Sequence, residues 1–160
     1  MTSGIAGDGV TKNVGFTAEF DPVGEDYSVI VEDDGAVCYA YLWHKEKIVA
    51  DVWLYNRTNT PIDAPWKLPN ARELLPFKNA KKFVSDDYFK PPESNNEIRA
   101  QARLSGQHLL CVDIFFHEKH VATLVPGCKP SFALMAKCNG PLAKLLSERY
   151  SALPRPDGFE

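Results

Sequence analysis

The chain has 160 residues, 44% of them apolar, and carries 18 basic against 21 acidic residues for a formal net charge of −3. That length and apolar content fit one domain with a substantial core and leave too little chain for two independent ones. The slight acidity removes the broad attraction to phosphate on which general nucleic-acid binders rely. No apolar run is long enough to cross a bilayer, since the strongest, Ala36 to Trp43 and Leu109 to Phe116, have the length of strands.

Residues 1–13 are rich in glycine and small polar residues and lack the basic end and apolar run of a secretion signal, so they read as a flexible tail. A cytoplasmic location follows as the expectation. Cys38, Cys111, Cys128 and Cys138 show no CxxC spacing, which argues against a zinc ribbon, and in that compartment they are expected as buried free thiols.

Residues 14–150 read as one β-rich domain. A first strand, Val14 to Phe20, alternates Phe16, Ala18 and Phe20 with polar neighbours and should add to a sheet edge. One pattern then occurs twice, from Tyr27 to Tyr55 and from Ile98 to Gly127: a glycine-bearing turn, a strand, a charged turn edged by histidine, and another strand. The fold class expected is mainly β, with two antiparallel three-stranded meanders forming a β-sandwich or strongly bent sheet.

Hairpin loop length decides which face each side chain occupies, because a slip of one residue reverses every assignment. A three-residue loop at Asp33-Asp34-Gly35 pairs Val31 with Val37, Val29 with Tyr39 and Tyr27 with Tyr41. A turn at Lys45-Glu46 then pairs Trp43 with Ile48, Tyr41 with Ala50 and Tyr39 with Val52, and makes that face the core. Cys38, Ala40, Leu42, Val49, Asp51, Trp53 and Tyr55 fall on the other face, too apolar to stand bare in water.

In the second copy, a three-residue loop at Ser105-Gly106-Gln107 faces Ile98 with Ile114, Ala100 with Val112 and Ala102 with Leu110. A two-residue loop would press Arg99 and Gln101 into the core, at the cost of burying polar groups. The chosen register sets Arg99 opposite Asp113, and a charged turn at Glu118-Lys119 brings His117 opposite His120.

Between the copies, prolines 61, 65, 69, 76, 91 and 92 break any long regular element. Short helical turns at Asn70 to Leu75 and Asn79 to Val84 fit, with Leu74, Leu75, Phe77, Phe83 and Phe89 packing down as a lid. After Pro126-Gly127, Ser131 to Cys138 reads as either a helix or a final strand. Gly140-Pro141 opens a C-terminal helix with Leu142, Leu145, Leu146 and Tyr150 on one stripe, and residues 151–160 form an extended tail.

Three groups of residues could carry chemistry. His44, His117 and His120, at matching hairpin turns, could hold a divalent metal for a hydrolytic or oxidative centre, although Lys47 stands where the first copy would need a second ligand. Asp51 and its counterpart Asp113 are carboxylates on otherwise apolar strand faces, where desolvation raises a pKa. Trp53, Tyr55 and Trp66, with Arg99 and Arg103 on the second sheet, are candidates to touch a ligand.

No nucleophile elbow or phosphate-binding loop occurs. The function expected is therefore a non-catalytic binding or interaction module that needs no cofactor, with a small ligand or protein as partner and neither nucleic acid nor membrane. Open sheet edges would also let it pair as a homodimer. The alternatives are a metal-dependent enzyme using the turn histidines and a small-ligand carrier with an aromatic-lined pocket.

Overall fold

The computed structural model describes residues 15–20 and 26–153; the expected tail at 1–13, Val14 and the 154–160 part of the expected tail at 151–160 lie outside the described residues, while Ser151 and Ala152 end a 3-10 helix instead of opening an extended tail. The protein is mainly β, with two sheets. The first has the order β1 (Phe16–Phe20), β2 (Tyr27–Asp33), β3 (Val37–His44), β4 (Lys47–Asn56); every pair is antiparallel. The second has the order β5 (Ile98–Ser105), β6 (His108–Phe116), β7 (Lys119–Leu124), β8 (Phe132–Ala133), β9 (Lys144–Leu145), and β9 joins parallel to β8. The two duplicated segments are the meanders β2-β3-β4 and β5-β6-β7. Each sheet exceeds three strands because β1 extends the first and β8 and β9 extend the second.

The first meander departs from the expected register. Asp33 pairs with Cys38, Val31 with Ala40 and Val29 with Leu42, so the loop between the strands has four residues. Its carboxylates explain why: Asp34 Oδ1 accepts from the amides of Ala36 and Val37, and Asp33 Oδ1 accepts from the amide of Gly35. The pairing moves by three residues, an odd number, and the faces of β3 exchange. Cys38, Ala40 and Leu42 therefore enter the core with Val29 and Val31, while Tyr39 and Tyr41 lie on the outer side.

The Lys45-Glu46 turn does pair Trp43 with Ile48, and both turn residues take positive φ, 51° and 69°. An irregularity between Leu42 and Trp43 then shifts the ladder, so Ala50 faces Leu42 and Val52 faces Ala40 rather than the tyrosines.

In the second meander the loop is the two-residue one, Gly106-Gln107, with Gly106 at φ 61°. An irregularity between Arg103 and Leu104 restores the phase, so Ile98, Ala100 and Ala102 still share a face with Val112, Ile114 and Phe116. The direct partners are displaced by two: Ile98 faces Phe116 and Ala100 faces Ile114. Arg99 faces Phe115 instead of Asp113. The next turn is His117-Glu118, one residue earlier than expected, so His120 faces Phe115 and His117 sits in the turn itself.

The inner faces of both sheets bury one continuous cluster, from Val29, Leu42 and Val52 to Val112, Ile114 and Leu124. Tyr55 reaches the second sheet directly, with its ring 6.0 Å from Phe116 and 5.2 Å from Phe89. At about 25 cal/mol per Å² of buried apolar surface, such large side chains supply most of the drive to close the sheets together.

The segment 126–153 holds no α-helix. Ser131 to Cys138 contains the two-residue strand β8, and the expected C-terminal helix is replaced by β9 and a 3-10 helix, Leu146–Ala152. Its backbone is committed to the edge of β4: Gly127 donates to the carbonyl of Val49, Ser131 to Asp51, and Trp53 to Leu142. Those ladder bonds compete with helical ones. Among the described residues no helix is long and apolar enough to cross a membrane.

The proline-rich connector forms short 3-10 helices, including Ala71–Leu74 and Lys81–Phe83 where helical turns were expected. Phe77, Phe83 and Phe89 are partly covered, as a lid requires. Leu74 and Leu75 are not, at 37% and 61% exposed.

Candidate functional site

Asp51 lies on the outer face of β4, directly opposite Tyr41. The bond from Ser131 to its carbonyl draws Lys129 and Pro130 alongside it. Above, the connector lays down Pro76 and Phe77, held by the Tyr39 hydroxyl, which donates to the Phe77 carbonyl at 2.7 Å. The result is a cleft of about 320 Å³ with Asp51, Tyr41, Phe77, Lys129 and Leu142 among its walls. Tyr39 and Tyr41 stack along it, with ring centroids 6.0 Å apart and planes 10° from parallel.

Desolvation pushes the Asp51 carboxyl above its ordinary 3.8, opposed only in part by the positive charge of Lys129. Among the described residues its carboxylate takes no side-chain hydrogen bond or ion pair. Desolvation also lifts the neighbouring Tyr41 hydroxyl to about 12, with Glu32 and Asp51 adding to it, so that group stays a neutral donor.

Asp113 lies on the outer face of β6, the middle strand of the second meander, and has the opposite surroundings. Thr123 Oγ1 donates to its Oδ1 at 2.7 Å, His120 Nε2 stands 3.2 Å from the same oxygen, and Arg103 Nε donates to Oδ2 at 2.8 Å. Burial raises its pKa, but the hydrogen bonds from His120, Thr123 and Arg103 outweigh it and hold the carboxyl at about 2. This is a His-Asp-Thr cluster in the wrong order for nucleophilic catalysis. The threonine proton goes to the aspartate rather than to imidazole, and Thr123 is fully buried.

The three histidines do not converge. His44 stacks on Tyr27 at 4.0 Å in the first sheet, His120 packs on Phe115 and faces Thr123, and His117 Nδ1 lies 3.7 Å from Glu97. Among the described residues no group of three histidines, cysteines or carboxylates could hold a metal ion. The expected triad gains no support there: His117 sits in the turn with Glu118, His120 lies on β7, and His44 ends β3 of the other sheet.

Of the aromatic candidates, Trp66 is half-buried, and Trp53 and Tyr55 are buried side chains at the wall of a separate cleft of about 290 Å³. Trp53 is 0% exposed with its Nε1 donating to Asn56 Oδ1, and Tyr55 is 2% exposed with its hydroxyl donating to Asp33 Oδ2 at 2.5 Å. Arg57 closes that buried knot with an ion pair to Asp33 at 2.7 Å. Trp66 packs on Phe77 and Phe83 at the back of the connector. Arg99 lies over Phe115 at 4.0 Å and pairs with Glu118, and Arg103 is bound to Asp113, both on the second sheet rather than near Asp51.

Sequence reasoning named Asp51 but missed Lys129, Phe77 and Leu142, which no local pattern links to β4. The four cysteines are free, and burial raises the thiols of Cys38 and Cys111, the latter to about 11, away from nucleophilic reactivity. Comparison with protein-family models, with curated proteins and with solved structures finds no match to this chain.

Proposed function

We propose that the protein is a binding module without catalytic chemistry, built as a two-sheet sandwich, and that its ligand site is the cleft around Asp51. One observation carries this reading: a half-buried carboxylate on a rigid strand is left without a partner, between aromatic and proline walls. Leaving a desolvated carboxylate unpaired costs stability, and a ligand donor that reached it would recover that cost. Small concave sites with mostly apolar walls and a few polar groups are the usual form of a ligand pocket. β5 ends its sheet among the described residues, so a second copy would pair there.

A thermal-shift screen with sugar, hydrophobic and peptide probes tests the site. A probe that binds should raise the melting temperature of the natural chain and lose that effect in Asp51→Asn and Tyr41→Ala. A shift that survives both substitutions places the site elsewhere.

A further inference from the structure

We infer that the occupant of this site is an extended segment of a partner protein bearing basic side chains, laid from the Asp51 cleft across Leu75 into a second groove on the connector. The inference rests on the binding reading above and extends it to a class of partner. The second groove, about 400 Å³, shares Leu75 and Pro76 with the Asp51 cleft, so the two form one track over a single ridge. Leu75 crowns the ridge at 61% exposed, and Leu68 and Leu74 beside it are 42% and 37% exposed. Large apolar side chains grouped in this way on an otherwise polar loop mark a contact surface rather than a solvated one.

Charge selects the occupant. Asp34, Asp63 and Glu73 edge the groove and Asp51 lies at the far end of the track. The facing cations are Lys78 and Lys129, and Lys78 already donates to the carbonyl of Asn59. The track is therefore net acidic, which favours lysine or arginine side chains and repels carboxylates. Two hollows joined end to end suit a chain that places successive side chains in successive pockets, as extended peptides do in proline- and aromatic-lined grooves.

Fluorescence anisotropy of the full chain with two short labelled peptides tests the inference, one alternating lysine with leucine and proline, the other with glutamate replacing each lysine. The lysine peptide should bind about tenfold or more tightly than the glutamate peptide, and its affinity should fall as salt is added. Glu73→Lys combined with Asp63→Lys, both exposed positions, should weaken it by a further tenfold at unchanged melting temperature. Equal binding of both peptides, or indifference to the double reversal, overturns the inference. So does a self-association, seen by sedimentation, that the lysine peptide cannot displace. A sugar that binds through Asp51 while neither peptide does would keep the cleft as the ligand site and sink the peptide. Peptide binding lost in the double reversal but unaffected by Asp51→Asn would uphold docking on the groove and remove Asp51 as the site.

Discussion

Asp51, on the last strand of the first sheet, and Asp113, on the middle strand of the second meander, are both carboxylates on outer strand faces and have opposite fates. Asp113 is held by a threonine, a histidine and an arginine, which keep its carboxyl at about 2. Asp51 is desolvated beside two tyrosines, the charge of Lys129 offsets this only in part, and its carboxyl moves up. Matched on their hairpin turns, the pair Tyr41 and Asp51 of the first meander corresponds to Asp113 and Thr123 of the second, so a repeated strand pattern does not repeat its chemistry. Asp113 takes its partners from the flanking strands of its own sheet, Arg103 on β5 and His120 and Thr123 on β7, whereas the outer face around Asp51 is walled by the connector and Lys129.

The contrast can be broken first by stability. Asp113→Ala removes the acceptor of the buried Thr123 hydroxyl, leaving it only His120, and strips Arg103 and His120 of their carboxylate, and should cost about 3 kcal/mol in urea unfolding. Asp51→Asn removes an unpaired charge, and should leave stability within about 0.5 kcal/mol of the natural chain or slightly raise it. Equal losses at the two positions would erase the distinction.

Acid titration sharpens it. Because the folded pKa of Asp113 lies below its ordinary 3.8, its contribution is fully present above that value and is lost as pH falls toward 2. The loss is on the order of 2 kcal/mol and should vanish in Asp113→Asn. Asp51 has the reverse sign: its raised pKa favours the folded state at low pH, and that advantage disappears as pH rises through the folded pKa. Comparing Asp51→Asn with the natural chain across this window should show the opposite slope.

The smallest effect concerns the matched turns. Glu46 and Glu118 both hold positive φ, 69° and 64°, in the left-handed region that favours glycine. Glu46→Gly should gain about 0.5–1 kcal/mol, and Glu118→Gly less, because it also removes the exposed pair with Arg99. A loss in Glu46→Gly, measured by chemical unfolding, would mean that this side chain does more than turn a corner.

The strands and their meander order were legible because period-two alternation and turn residues are local signals. Faces were legible only where errors had even parity. In the second meander a short loop and an irregularity at Arg103 displaced the pairs by two, so Ile98, Val112 and Ile114 remained inside. In the first, the four-residue loop capped by Asp33 and Asp34 displaced them by three and exchanged Tyr39 and Tyr41 with Cys38, Ala40 and Leu42. Glycine in a turn does not reveal that two neighbouring carboxylates will each take a backbone amide.

The same reasoning explains what could be seen of the site. Asp51 stood out as a carboxylate among apolar strand neighbours. Lys129 and Leu142 reach it through ladder bonds along the edge of β4 and Phe77 through the Tyr39 hydroxyl, from chain some 25 to 90 residues away, and such contacts leave no periodic trace. The helix expected after Gly140 failed for a related reason, since the leucine stripe fits a helix but Trp53 and Ser131 claim that backbone first.

Carboxyl carbon NMR across an acid titration measures both aspartates in one sample and addresses the central contrast most directly. Asp113 should change its protonation near pH 2, and Asp51 should do so clearly above 3.8. Coincident midpoints, or an Asp51 midpoint at or below 3.8, would show that Asp51 is neither desolvated nor unpartnered and would contradict its place as the ligand site.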